Sequence, residues 1–116
     1  MTVVLIIFAT LLGIAAVGSA MGKLTRQARV MESMHSVGVK DNQIPILAVL
    51  ELLGAAGLLV GIWFAPIGVL AALGLTLYFL GAVIAHVRAK APFAEAVPAL
   101  ALAIIALITT ILELAR

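Results

Sequence analysis

Four long apolar runs dominate the chain, each interrupted only at its ends by clustered polar residues. The first is Thr2 to Met21, uncharged throughout and stopped by Lys23. The second is Ile46 to Ala65, opened by Pro45 and closed by Pro66. The third runs from Ile67 to Ala85 and stops at His86; the fourth covers Ala96 to Ala115, with Pro98 in its first turn. Uniformly apolar runs carry no usable period, so length decides between helix and strand. About 20 apolar residues suit a membrane-crossing helix and are twice what a barrel strand needs. The expected fold class is therefore all-α: an integral membrane four-helix bundle forming a single membrane domain over residues 1–116. The N-terminal run is expected to be a retained span rather than a secretory leader, because its basic residues follow it instead of preceding it.

One stretch breaks the apolar pattern differently. Between Leu24 and Val37 the residues Leu24, Ala28, Met31 and His35 recur at helical spacing, with Arg26, Gln27, Glu32 and Ser33 elsewhere. Two readings stand: a short amphipathic segment lying in the headgroup layer, or a helical extension of the first span into water. Gly38, Asp41 and Asn42 then supply turn residues before Pro45.

Composition agrees. Of 116 residues 66% are hydrophobic and 10% charged, more apolar surface than a soluble domain of this size could bury. Cysteine is absent, which excludes disulfides, thiol redox chemistry and thiolate-held metals or iron–sulfur clusters. The net charge of +2 is too small to imply a nucleic-acid partner, and the expected surroundings are lipid, with other membrane subunits or further copies of the chain.

The basic residues set the expected orientation. Lys23, Arg26, Arg29 and Lys40 follow the first span, and Arg88 and Lys90 follow the third. Positive loops face the cytoplasm, so both termini are expected outside, with Trp63 and Phe64 in the outer interfacial belt.

Polar residues inside the spans are the candidate chemistry. Glu51 falls roughly 8–9 Å into the second span. An acid there costs about 2.5–3.5 kcal/mol on insertion scales and calls for a partner inside the bundle. Gly54, Ala55 and Leu58 share its face. Lys23 and His86 lie at the same end, so Lys23, Glu51 and His86 form either a polar ligand site or a structural ion pair that fixes helix register. His86 closes the third span, where a protonated imidazole is favoured by the helix dipole and where histidine also serves in proton exchange. Tyr78, in the middle of that span, needs a partner for its hydroxyl and is a further ligand candidate. Arg26, Arg29 and Arg88 are candidate headgroup contacts. No spacing of the two histidines fits metal or haem ligation. Glu113, one turn after Thr109, is expected to snorkel to water, and Glu95 to open the fourth helix at its positive end. Gly18-x-x-x-Gly22 and Gly57-x-x-x-Gly61 predict close helix packing, within the bundle or between protomers. Nothing resembles a catalytic nucleophile, a phosphate-binding loop or a metalloprotease motif, so an enzyme acting alone has no support.

In order and spacing these landmarks resemble the DoxX-like family of small membrane proteins. The matching pieces are Gly22-Lys23-Leu24, Met34 to Gly38, Leu50-Glu51-Leu52-Leu53-Gly54, and Gly81 through Arg88. The likeness runs from about Leu12 to Leu112. The resemblance implies a four-helix bundle of the bacterial inner membrane, with Lys23, Glu51 and His86 sharing a site. It also implies service to a larger assembly, since some members are membrane subunits of quinone-linked oxidoreductases and others accompany oxidant-defence enzymes. The expected function is thus an accessory subunit of a redox-linked complex, with a quinone or lipid head at the inner end of the bundle. The alternatives are a purely structural or assembly protein, or an oligomeric small transporter or lipid-binding protein.

Overall fold

A computed structural model describes residues 2–116 as five helices with no strand among them. They are α1 (Thr2–Leu24), α2 (Ala28–Ser36), α3 (Ile44–Gly61), α4 (Ala65–Arg88) and α5 (Phe93–Ala115). Helices α1, α3, α4 and α5 are long and apolar enough to cross a membrane. Neighbours in sequence pack side by side, α1 on α3, α3 on α4 and α4 on α5, while α1 meets α5 over fewer residues. The bundle is 39 Å along its longest axis, enough for a hydrocarbon layer of about 30 Å with its interfaces.

The packing is that of a lipid-solvated protein. Small and medium side chains fill the centre, among them Leu12, Ala16, Leu58, Ala72, Leu75 and Ala106. Large apolar side chains such as Ile14, Leu70, Leu77 and Leu114 point outward. No soluble chain would leave so much of its apolar surface uncovered. Trp63 and Phe64 are exposed at the tight turn between α3 and α4, a site suited to an aromatic interfacial belt.

Several boundaries differ from those read off hydropathy. Pro66 does not close the second span; it sits in the first turn of α4, where a missing N–H costs nothing. The second span accordingly ends at Gly61, and residues 62–64 form the turn. His86 is not the end of α4, which continues to Arg88, since basic side chains are favoured in a last turn. Helix α5 starts at Phe93 rather than Ala96, because Pro92 lies just before it and Glu95 suits its first turn. Pro98 therefore falls inside the helix and can give no N–H to the Ala94 carbonyl.

At the end of the bundle that carries most of the basic residues, three helices stop in the same way. In α1 the amides of Arg26 and Gln27 return to the carbonyls of Lys23 and Gly22. In α2 Gly38 and Val39 return to His35 and Met34, and in α4 Lys90 and Ala91 return to Val87 and His86. This doubly bonded cap needs a left-handed residue. Gly38 supplies it freely at φ 86°, but Arg26 and Lys90 hold φ 54° and 56°. The stop at Arg26 makes α2 a separate helix rather than an extension of α1. It also breaks the register counted from Leu24: Met31 is buried and Val30 and Met34 half-buried, whereas Ala28 and His35 are exposed.

Gly57 and Gly61 are consumed within the chain. A Cβ on Gly57 would stand 2.7 Å from that of Ala71, and one on Gly61 would collide with the Gly68 backbone. Gly54 is filled by Leu75 at 2.6 Å. Gly18 meets nothing, so its half of the first glycine pair does not pack inside the bundle. Gly61→Ala is thus expected to cost about 1–3 kcal/mol through overpacking. Gly74→Ala, which faces open space, should be neutral or stabilising by less than about 1 kcal/mol. Equilibrium unfolding in mixed detergent micelles measures both, and equal effects would contradict this packing.

Candidate functional site

Lys23 stands in the last turn of α1, and Glu51 two turns into α3. Lys23 Nζ donates to Glu51 Oε1 at 2.6 Å and to Ser19 Oγ at 2.8 Å, with Lys23 7% and Glu51 0% exposed. Two charges in so dry a place persist only as a pair. The second carboxylate oxygen, Oε2, has no hydrogen-bond partner among the described residues. Tyr78 lies beside this pair, close to the Glu51 carboxylate, with its ring centroid 6.0 Å from Lys23 Nζ. Phe79 meets the Tyr78 ring edge-on at 5.1 Å and braces it.

Lys23 and Tyr78 look into an open cavity of about 930 Å³ at the same end, bounded by α1, α4 and α5 and walled by α2. It exists because small residues line it on three helices: Gly18 and Gly22 on α1, Gly81, Ala82 and Ala85 on α4, Ala99 on α5. His86 lines it while remaining 5% exposed. Its Nδ1–H donates to the Ala82 carbonyl at 2.8 Å, one turn back on the same helix, and its Nε2 is buried with no partner among the described residues. In a neutral ring whose Nδ1 carries the hydrogen, Nε2 can only accept.

The anticipated residues are thus only partly gathered. Lys23, Tyr78 and His86 share the cavity; Glu51 stands behind Lys23 and does not line it. His86 is bonded to its own helix and to neither member of the ion pair. Of the three arginines, Arg29 reaches the cavity. Arg26 is turned away by its cap geometry and lies 3.7 Å from Asp41. Arg88 is exposed in the last turn of α4, two residues past His86 and so on another face. Glu32 on α2 and Glu95 on α5 also line the cavity. Hydropathy could not reveal them, because each lies outside the apolar runs.

Helix α2 is tied down at both ends by one side chain. Asp41 accepts from His35 Nε2 at 2.5 Å and lies within ion-pair distance of Arg26. The His35 hydrogen bond, helped by the charges of His35 and Arg26, holds the Asp41 carboxyl below its ordinary range.

A second buried acid lies at the opposite end. Glu113 does not snorkel: it is 3% exposed, pressed onto Gly68 of α4, with Arg116 3.2 Å away. Arg116 also donates to the Gly61 and Ile62 carbonyls at the end of α3. Burial is possible because Gly68 has no side chain to fill that place. Between the two ends Thr76 and Thr110 meet at 3.2 Å, each also bonded to the carbonyl one turn back.

The profile of the DoxX-like family matches residues 7–108. No curated protein and no solved structure matches the chain.

The ion pair makes a definite energetic statement. Glu51→Gln should cost about 3–5 kcal/mol, because it strands a buried ammonium. The double substitution Lys23→Met with Glu51→Leu should recover most of that loss. Unfolding of the two single variants and the double variant in detergent closes the cycle; additive losses would show that the pair is not coupled.

Proposed function

The chain belongs to the DoxX-like family, and from that premise we propose that it is an accessory membrane subunit of a larger, redox-linked complex. In this reading the cavity beside Lys23, Tyr78 and His86 holds the head of a quinone or lipid. The observation that carries it is His86 Nε2, a buried nitrogen with no hydrogen-bond partner among the described residues, on a side chain that lines the cavity. A buried polar atom without a hydrogen bond costs about 1–3 kcal/mol, so a ligand that satisfies it regains that loss. The walls fit an amphiphile. Charged groups gather at one edge, while Leu77, Phe79 and Leu102 continue the surface toward the apolar middle of the bundle. Such a division, mostly apolar with a few placed polar groups, is what small-molecule sites have in general.

In the same reading the membrane is a bacterial inner membrane, as the family resemblance implies, and the excess of Lys and Arg favours the basic end on its cytoplasmic side with both termini outside. In the competing assembly reading, which rests on glycine-rich faces and the Leu24–Val37 segment, Gly57 and Gly61 are not free to meet a partner because α4 already covers both.

Native mass spectrometry of the protein in native-lipid nanodiscs tests the proposal. A stoichiometric added mass matching a quinone or lipid is expected, and it should weaken or disappear in Ala85→Phe, which puts a ring into the cavity next to His86 without removing a polar group. A stable heteromeric assembly carrying no such mass would overturn the ligand site and leave an assembly subunit.

A further inference from the structure

We propose that the cavity selects its ligand by hydrogen-bond donation: the head it takes is uncharged and bears a hydroxyl. This rests on the reading of the cavity as a headgroup site and adds which chemistry the head must have.

Three features of the wall point the same way. The first is His86. Its Nδ1–H is committed to the Ala82 carbonyl, which can only accept, so in the neutral ring Nε2 presents a lone pair. A ligand oxygen with no hydrogen, such as a ketone or ether, would meet that lone pair with its own. A hydroxyl would donate to it.

The second is on α5. Ala94 and Pro98 both line the cavity, and Pro98 has no N–H for the Ala94 carbonyl. That carbonyl has no proline N–H to accept from, and it belongs to a residue that lines the cavity on a different helix from His86. The wall also offers donors, from Ser19, Gln27, Arg29 and Ser33, which a hydroxyl and a ketone satisfy alike, so the two acceptors of different origin are what tells one head from the other.

The third is charge. Lys23 and Arg29 are the cations that line the cavity, and Glu32 and Glu95 the carboxylates. Lys23 is already neutralised by Glu51 from behind. The wall therefore has no surplus positive charge with which to hold a phosphate, whose recognition usually rests on Arg and Lys. Lys23 spends two of its three N–H groups on Ser19 and Glu51. The third remains for a neutral oxygen, and a hydroxyl, being both donor and acceptor, suits it as well.

An uncharged hydroxyl head can come from two sources, a hydroquinone or a glycerol-type alcohol. The experiment separates them with matched probes differing only in their donors. The full chain in nanodiscs of zwitterionic lipid is titrated with decyl hydroquinone and decyl quinone under anaerobic conditions. A second pair is 1-O-decylglycerol and its dimethyl ether, and a short-chain phosphatidylglycerol is the anionic comparison. In at least one pair the hydroxyl form should bind about tenfold tighter or more, and the pair that discriminates names the source. His86→Phe, which keeps a ring but removes the acceptor, should bring that ratio down to a few-fold, leaving only the Ala94 carbonyl to discriminate. The wild-type ratio stands as a test even where that variant fails to fold. Equal binding within both pairs, tighter binding of the donor-free forms, or preference for the phosphate-headed lipid would overturn this inference and leave the headgroup site standing. Absence of binding by every probe would remove the headgroup site itself.

Discussion

A carboxylate cannot remain ionised and alone in hydrocarbon, and the arrangement of the basic end follows from where this chain compensates one. Glu51 is two turns inside α3, so its partner must come from a helix that ends at the same depth. Lys23, in the last turn of α1, is that partner. Joining them sets the height of α1 against α3, since a shift of one turn would move the ammonium by about 5.4 Å and break the contact. Once α1 is fixed, its small residues Gly18 and Gly22 line the same cavity as the small residues of α4. The cavity and the ion pair are therefore one construction, and His86 is its far wall.

The seam between α3 and α4 works on the opposite principle. There, proximity comes from absent side chains, with Gly54, Gly57 and Gly61 matched by Leu75, Ala71 and Gly68. Apolar surface gives no driving force for association between helices already solvated by lipid, so close backbone approach and dispersion must supply it. The result is a bundle tight along α3–α4–α5 and more open where α1 meets α5.

How far the sequence speaks depends on which physical signal each feature leaves in it. Four spans are legible because hydrocarbon tolerates little else than a long apolar helix. The pairing need of Glu51 is equally legible, since a charge at that depth is anomalous on its own. Pro66 misled because proline ends one helix and begins another equally well. Glu113 looked harmless because, two residues from a run's end, it could reach water. Only the missing side chain of Gly68, forty-odd positions away, lets it turn inward instead. The turn at Arg26 left no signal at all, because nothing in an arginine announces a left-handed backbone. Without that turn the face of α2 could not be read.

Arg26 and Lys90 carry two duties at single positions. Each occupies the left-handed site that stops a helix, where glycine would be relaxed, and each is one of the cations that mark one side of the membrane. Relaxing the backbone by glycine would remove a positive charge from the basic end of the bundle. Keeping the charge retains a strained residue. Backbone comfort and positive charge at this end thus compete for the same side chain, and in this protein the charge is kept at both places.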